Sequence, residues 1–176
     1  MKREPVALLD ACVLVPMPLA DTLLRLAEPE ALFQARWSDQ ILDEVRRTLE
    51  VRFAKGAALA ARREAAMREF FPDAVVTGHE GLIPALTNDV KDRHVLAAAL
   101  QGRADYLVTF NLKDFPESVG RLRVVGPSTF LKLLWRDNEL EMRSRFAAQA
   151  RAIGESVEWL RERLGRSVPE FVAEWR

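Results

Sequence analysis

Val6-Ala7-Leu8-Leu9-Asp10 is the stretch that decides the fold. Four apolar residues in a row, without polar alternation, read as a strand buried on both faces. Strands of that kind belong to parallel sheets covered by helices. The run stops on a carboxylate. In open parallel sheets, ligands gather off the carboxyl ends of the strands, so Asp10 stands where sites form.

Working outward, residues 21–27 suit a mostly apolar helix and residues 33–37 a second strand. Ser38 is a good N-cap for a helix carrying Ile41, Leu42, Val45 and Leu49 on one face. Residues 57–71 have helical composition, with Pro72 to end them, and residues 74–76 read as a short strand. Asn88 or Asp89 caps a helix whose inner stripe is Val95, Leu96, Ala99 and Leu100, stopped at Gly102. Tyr106–Val108 and Leu122–Val125 are further strands, the second followed by a helix with Phe130, Leu131 and Leu134. Strands alternating with helices predict the α/β class with a largely parallel sheet. From Asp137 the pattern is helical only, over residues 140–153, 157–164 and 169–175. The expected organisation is one domain over residues 1–135 and a helical C-terminal extension over 136–176.

Composition narrows the class. The 176 residues are 49% hydrophobic and 30% charged, enough for a real core in one domain. Twenty-six Lys and Arg balance 26 Asp and Glu, so no global field draws the chain to nucleic acid or membrane. A single cysteine, Cys12, excludes an internal disulfide scaffold and points to a reducing compartment. Lys2 and Arg3 before an apolar stretch imitate a signal peptide, but Glu4, Asp10, Pro16 and Pro18 interrupt it. No window approaches the ~20 apolar residues of a membrane span. The expectation is a soluble, cytoplasmic protein without membrane contact.

The functional signal is where the acids fall. Asp10 ends the first strand, and Asn111 and Asp114 lie just past the Tyr106–Val108 strand on the same edge. Asp92 opens its helix on the inward side, and Glu44 borders the buried face of its own, between Ile41 and Val45. In right-handed βαβ units, helix first turns flank the strand ends, so four acids from four elements can meet in one cleft. Alone such a cluster repels itself; with a divalent ion it becomes a coordination site. Each acid also has a plainer reading: Asp10 a turn former, Asp92 a helix-dipole partner, Glu44 a solvated helix acid, Asp114 a loop residue. The joint pattern favours the site.

Leu8-Leu9-Asp10-Ala11-Cys12-Val13-Leu14 and Trp37-Ser38-Asp39-Gln40-Ile41-Leu42-Asp43-Glu44 resemble the opening of a PIN-domain nuclease. Residues 89–99, from Asp89-Val90-Lys91-Asp92 onward, resemble that family's third acidic motif. Residues 104–115, with Thr109-Phe110-Asn111-Leu112-Lys113-Asp114, resemble its fourth. The similarity covers about residues 6–134 and is greatest to bacterial PIN proteins of the VapC-like toxin type. It implies a three-layer α/β/α sandwich with a central parallel sheet and a metal-dependent phosphodiesterase site. Carried over by position, Asp10, Glu44 and Asp92 would be acidic metal ligands, and Asp114 the fourth acid, binding directly or through water. Thr109 and Asn111 would support them. Two positions depart from the pattern. Many relatives carry Asp where this chain has Asn111, and a polar residue where it has Cys12, which reads best as a small buried hydrophobe.

Oxygen ligands suit Mg²⁺ or Mn²⁺, and His94 and His79 are too few for a zinc site. Residues 45–68 hold Arg46, Arg47, Arg52, Lys55, Arg62, Arg63 and Arg68 against Glu50 and Glu64, a local excess of five positive charges. That stretch is either a phosphate track or a solvated helical face. The resemblance implies an endoribonuclease acting on single-stranded or structured RNA, the toxin of a type II toxin–antitoxin pair. Its antitoxin would block the acidic cleft. The C-terminal helices would pack on the core, form a homodimer or bind that partner. The competing reading is a non-catalytic PIN fold that only binds RNA or protein, with Asn111 as its support. A phospho-receiver leaves Glu44 without a role. A haloacid-dehalogenase-type phosphatase needs an Asp where Cys12 stands.

Overall fold

The computed structural model describes residues 3–176; Met1 and Lys2, the latter from the signal-like opening, lie outside the described residues. Among the described residues, no helix is long and apolar enough to cross a membrane. The apolar run becomes β1 (Val6–Leu9), with Ala7, Leu8 and Leu9 fully buried. It lies between β2 (Gln34–Arg36) and β3 (Tyr106–Val108), and β3 lies beside β5 (Leu122–Val125). All of these pairs are parallel. A two-residue antiparallel edge, β4 (Ser118–Val119), completes the order β2-β1-β3-β5-β4. Helices flank this sheet in the α/β/α arrangement expected of it. The register matters for function. Leu9 faces Val108, and the ladder runs one step further, with Asp10 N–H donating to the Val108 carbonyl at 3.1 Å. Thr109 N–H likewise donates to the Val125 carbonyl at 3.1 Å, so Asp10 and Thr109 leave the sheet side by side.

Asp10 then caps a single helical turn, α1 (Ala11–Leu14), which leads to α2 (Leu19–Ala27). Ser38 caps α3 (Asp39–Arg52) by accepting the Ile41 N–H at 3.2 Å, and Ile41, Leu42, Val45 and Leu49 are buried as the sequence requires. Helix α4 (Gly56–Phe70) folds back on α3 so closely that a Cβ on Gly56 would overlap the Leu49 carbonyl oxygen. Loss of the α3 cap is measurable: Ser38→Ala is expected to cost about 1 kcal/mol and lower Tm by about 2–4 °C. An unchanged calorimetric Tm would show that the cap contributes nothing.

Three local expectations are corrected. Residues 74–76 form no strand; only a parallel bridge joins Val75 to Trp37, with two hydrogen bonds. Trp37 is the last residue before Ser38 turns the chain into α3, so no longer ladder can form beside it. Asn88 does not cap a helix; its Nδ2 reaches the Asp114 carbonyl at 3.4 Å. Asp89 accepts the Lys91 N–H at 3.1 Å and caps one 3₁₀ turn, Val90–Asp92, before α5 (Arg93–Gln101) begins.

Helix α6 (Pro127–Ala152) passes through residue 136, kinked at Asn138, whose Nδ2 bonds back to the Leu134 carbonyl at 2.9 Å. Beyond the kink it packs on α2: the Thr22 hydroxyl donates to Gln149 Oε1 at 2.9 Å in a buried pair. Arg145 donates to the carbonyl of Arg25 in the last turn of α2 at 2.7 Å and to that of Glu30 just beyond it at 2.8 Å. Helices α7 (Val157–Leu164) and α8 (Pro169–Glu174) close the chain. Trp135 and Phe146 of α6 stack on each other and pack against Phe171 edge-on and Trp175 at a tilt, the nearest ring centroids 4.5 Å apart.

Candidate functional site

Asp10 is 3% exposed at the carboxyl end of β1 and is held on both sides. Its Oδ1 accepts the Ala11 N–H at 2.7 Å, and its Oδ2 accepts the Thr109 hydroxyl at 2.8 Å. The Thr109 Oγ1 in turn accepts the Asn111 N–H at 3.0 Å, which fixes the direction in which that hydroxyl donates. Burial raises the Asp10 carboxyl above its ordinary value, against the lowering effect of Thr109, Ala11 and Cys12, and the Glu44 charge adds to the rise. Cys12 belongs to this network rather than to the packing alone. Its Sγ lies 3.5 Å from Asp10 Oδ2 and 3.4 Å from Thr109 Oγ1, and accepts the Phe110 N–H at 3.3 Å. Burial and then the Asp10 charge push its thiol up to about 12, so it is a protonated thiol in the metal-free protein.

Asp92 arrives from the N-cap of α5 and is 8% exposed. Its Oδ2 is buried without a hydrogen-bond partner. The carboxyl is pushed up to about 6, first by burial, then by the Asp10 charge; Lys91 opposes this, and Asp114 and Asp89 reinforce it. An orphaned carboxylate oxygen in such a place is expensive, and native proteins keep few of them. Glu44, from α3, is met by His94 of α5, whose Nε2 lies 2.7 Å from Glu44 Oε1 though off hydrogen-bonding alignment. His94 is 5% exposed and pressed against this candidate acid.

Asp10, Glu44, Asp92 and Asn111 line one cavity of about 600 Å³, together with Cys12 and Phe110. Asp114 does not. It sits in the 3₁₀ turn Leu112–Asp114 and lines a neighbouring cavity with Asn88 and Asp89. Lys91 joins the two, its Nζ 3.4 Å from Asp114 Oδ2 and 3.9 Å from Asp92 Oδ2. Among the described residues, no three His, Cys, Asp or Glu side chains close into a group that could hold an ion. The acids surround an opening rather than a cage. The donor set nonetheless fits a hard divalent cation. Asp92 Oδ2 has no donor, and both Asp10 oxygens keep lone pairs beyond the bonds they accept.

The basic stretch divides. Arg46 pairs with Glu50 and Asp43, and Arg68 with Asp39 and Glu64. Arg63 donates to the carbonyls of Leu14 and Val15 at 2.8 and 3.0 Å, closing α1. Arg47 and Arg52 line the acidic cavity, and among the described residues neither makes an ion pair. Sequence alone counted these charges but could not tell which ones face the site.

The sequence model of the PIN domain matches residues 6–113. Over 57 residues the chain is 46% identical to a Mycobacterium tuberculosis protein named "Putative ribonuclease VapC50", a match covering 31% of this chain and 34% of that protein. The match thus spans about a third of the relative's length. No solved structure matches the chain significantly.

Proposed function

This chain belongs to the PIN-domain family, and we propose that it is a cytoplasmic, metal-dependent endoribonuclease that hydrolyses phosphodiester bonds of single-stranded or structured RNA. The observation that carries the proposal is Asp92 Oδ2, buried beside Asp10 and Glu44 without accepting a hydrogen bond, in a cavity rimmed by Arg47 and Arg52. Asp10, Glu44 and Asp92 would hold Mg²⁺ or Mn²⁺, with Asp114 acting through water from the adjoining cavity. Such an ion activates water and neutralises charge on a phosphoryl oxygen. Asn111 offers an amide at the cavity wall that can orient water or substrate without adding charge. Arg47 and Arg52 supply guanidinium donors for RNA phosphates, which the acids would otherwise repel. The role extends to the toxin of a type II toxin–antitoxin pair, restrained by an antitoxin that covers this cleft and presents cations to its carboxylates.

The test is cleavage of a mixed-sequence single-stranded RNA by the purified chain with Mn²⁺, with Mg²⁺ and with EDTA. Cleavage that needs the metal is expected. No cleavage with either metal, together with no rise in Tm on adding Mn²⁺, would leave the binding-only PIN reading that Asn111 favours.

A second outcome probes the support around Asp10. Thr109→Val keeps the side chain's shape but removes the donor to Asp10 Oδ2. It is expected to weaken Mn²⁺ affinity and cleavage by about 10–100-fold, the usual effect of losing a bond that orients a ligand. Wild-type Mn²⁺ affinity in the variant, read by calorimetric titration, would deny Thr109 that role.

A further inference from the structure

Lys91 stands out among the cations of the molecule. Arg25, Arg143 and Arg145 pair with acids one turn away on their own helices. The Lys91 ammonium instead lies among the candidate ligands, 3.4 Å from Asp114 Oδ2 and 3.9 Å from Asp92 Oδ2. The second of these is the oxygen that no hydrogen bond satisfies. The backbone is placed for this: Asp89 accepts the Lys91 N–H and sets the 3₁₀ turn that carries Lys91 and Asp92 together. The side chain remains free to leave, being 67% exposed on a four-carbon stem.

We propose that Lys91 is the resident counter-cation of this site, an ammonium that occupies the gap between Asp92 and Asp114 until a divalent ion displaces it. The inference rests on the metal-binding reading given above. Asp10, Glu44, Asp92 and Asp114 bring four formal negative charges to two adjoining cavities, and no closed metal-holding group forms among them. One tethered positive charge relieves part of that repulsion. Its distances are those of a loose electrostatic contact rather than a tight charged hydrogen bond. A divalent cation with direct oxygen ligation therefore outcompetes it, and the ammonium swings out to solvent on its flexible stem. The metal thus displaces a tethered cation from this gap. An ordinary surface ion pair would have none of these consequences for metal uptake.

The test is calorimetric titration of Mn²⁺ into the full chain as wild type, Lys91→Met and Lys91→Arg, with melting curves of each in EDTA. Removing the competitor is expected to tighten Mn²⁺ binding by about 3–10-fold in Lys91→Met, with a lower melting temperature in EDTA. Lys91→Arg, which keeps the charge, should stay near wild type. Equal or weaker Mn²⁺ binding by Lys91→Met than by wild type overturns the role of Lys91 while leaving the metal site standing. Failure of the wild type itself to take up Mn²⁺ overturns the metal reading, and the counter-cation with it. Because Lys91 is exposed, neither substitution threatens the fold.

Discussion

Asp10→Asn is expected to lose metal-dependent RNA cleavage by about 10³-fold, since several kcal/mol of metal-derived stabilisation goes with the charge. The same substitution should leave the metal-free protein as stable as wild type or more so. The amide is nearly isosteric with the carboxylate. Its oxygen can still accept the Ala11 N–H, and its Nδ2 can donate to Thr109 Oγ1, so the pairing that joins β1 to the end of β3 survives. What disappears is a buried charge. Burial raises the Asp10 carboxyl, which means that the folded state holds its ionised form at a cost. A group of this kind stabilises the fold only while protonated, and that contribution is lost as pH rises through its folded value. At neutral pH the neutral amide removes the cost. RNA cleavage with Mn²⁺ and melting in EDTA read the two halves separately. Retained cleavage would remove Asp10 from the site, and a fall in the EDTA melting temperature would make it a structural residue first.

Much of this arrangement is visible in the chain because it depends on local pattern. The uninterrupted Val6–Leu9 run demands two covered faces, and that demand places β1 between β2 and β3. Ser38 announces α3 because an N-cap is a short-range hydrogen bond. Acids at strand ends and helix starts could be placed because a parallel sheet gathers those ends on one edge. What escaped the sequence depends on distances between elements. Val75 has apolar neighbours fit for a strand, yet only Trp37 is free to bridge to it. Asp114 belongs to the right loop, yet the 3₁₀ turn places it in the adjoining cavity. His94 meets Glu44 across two helices, a contact no spacing within either helix encodes. Lys91 looks like any exposed lysine until the folded loop sets Asp114 beside it.

The pH dependence should separate metal binding from folding. Asp92 rises from 3.8 to about 6 on folding, mainly through burial and the Asp10 charge. Between those values the folded protein keeps a proton that the unfolded chain has released. The stability this provides is therefore present in acid, lost as pH climbs from about 4 to about 6, and absent above that. Asp10, also raised, works in the same direction. A divalent ion needs both carboxylates ionised, so it competes with the protons that favour the metal-free fold. Apparent Mn²⁺ affinity should then be about tenfold weaker at pH ~5 than at pH ~7, and the Mn²⁺-induced rise in Tm should shrink accordingly. The metal-free melting temperature should move the opposite way across the same interval. Asp92→Asn serves as the control: it should make the metal-free profile shallower, leaving the Asp10 part, and raise Tm at neutral pH by about 2–4 °C. If the Mn²⁺-induced rise is as large at pH ~5 as at pH ~7, Asp92 is not among the groups that hold the ion. Opposed slopes with and without Mn²⁺, both reduced in Asp92→Asn, would mean that the cost of burying this carboxylate is what the metal offsets.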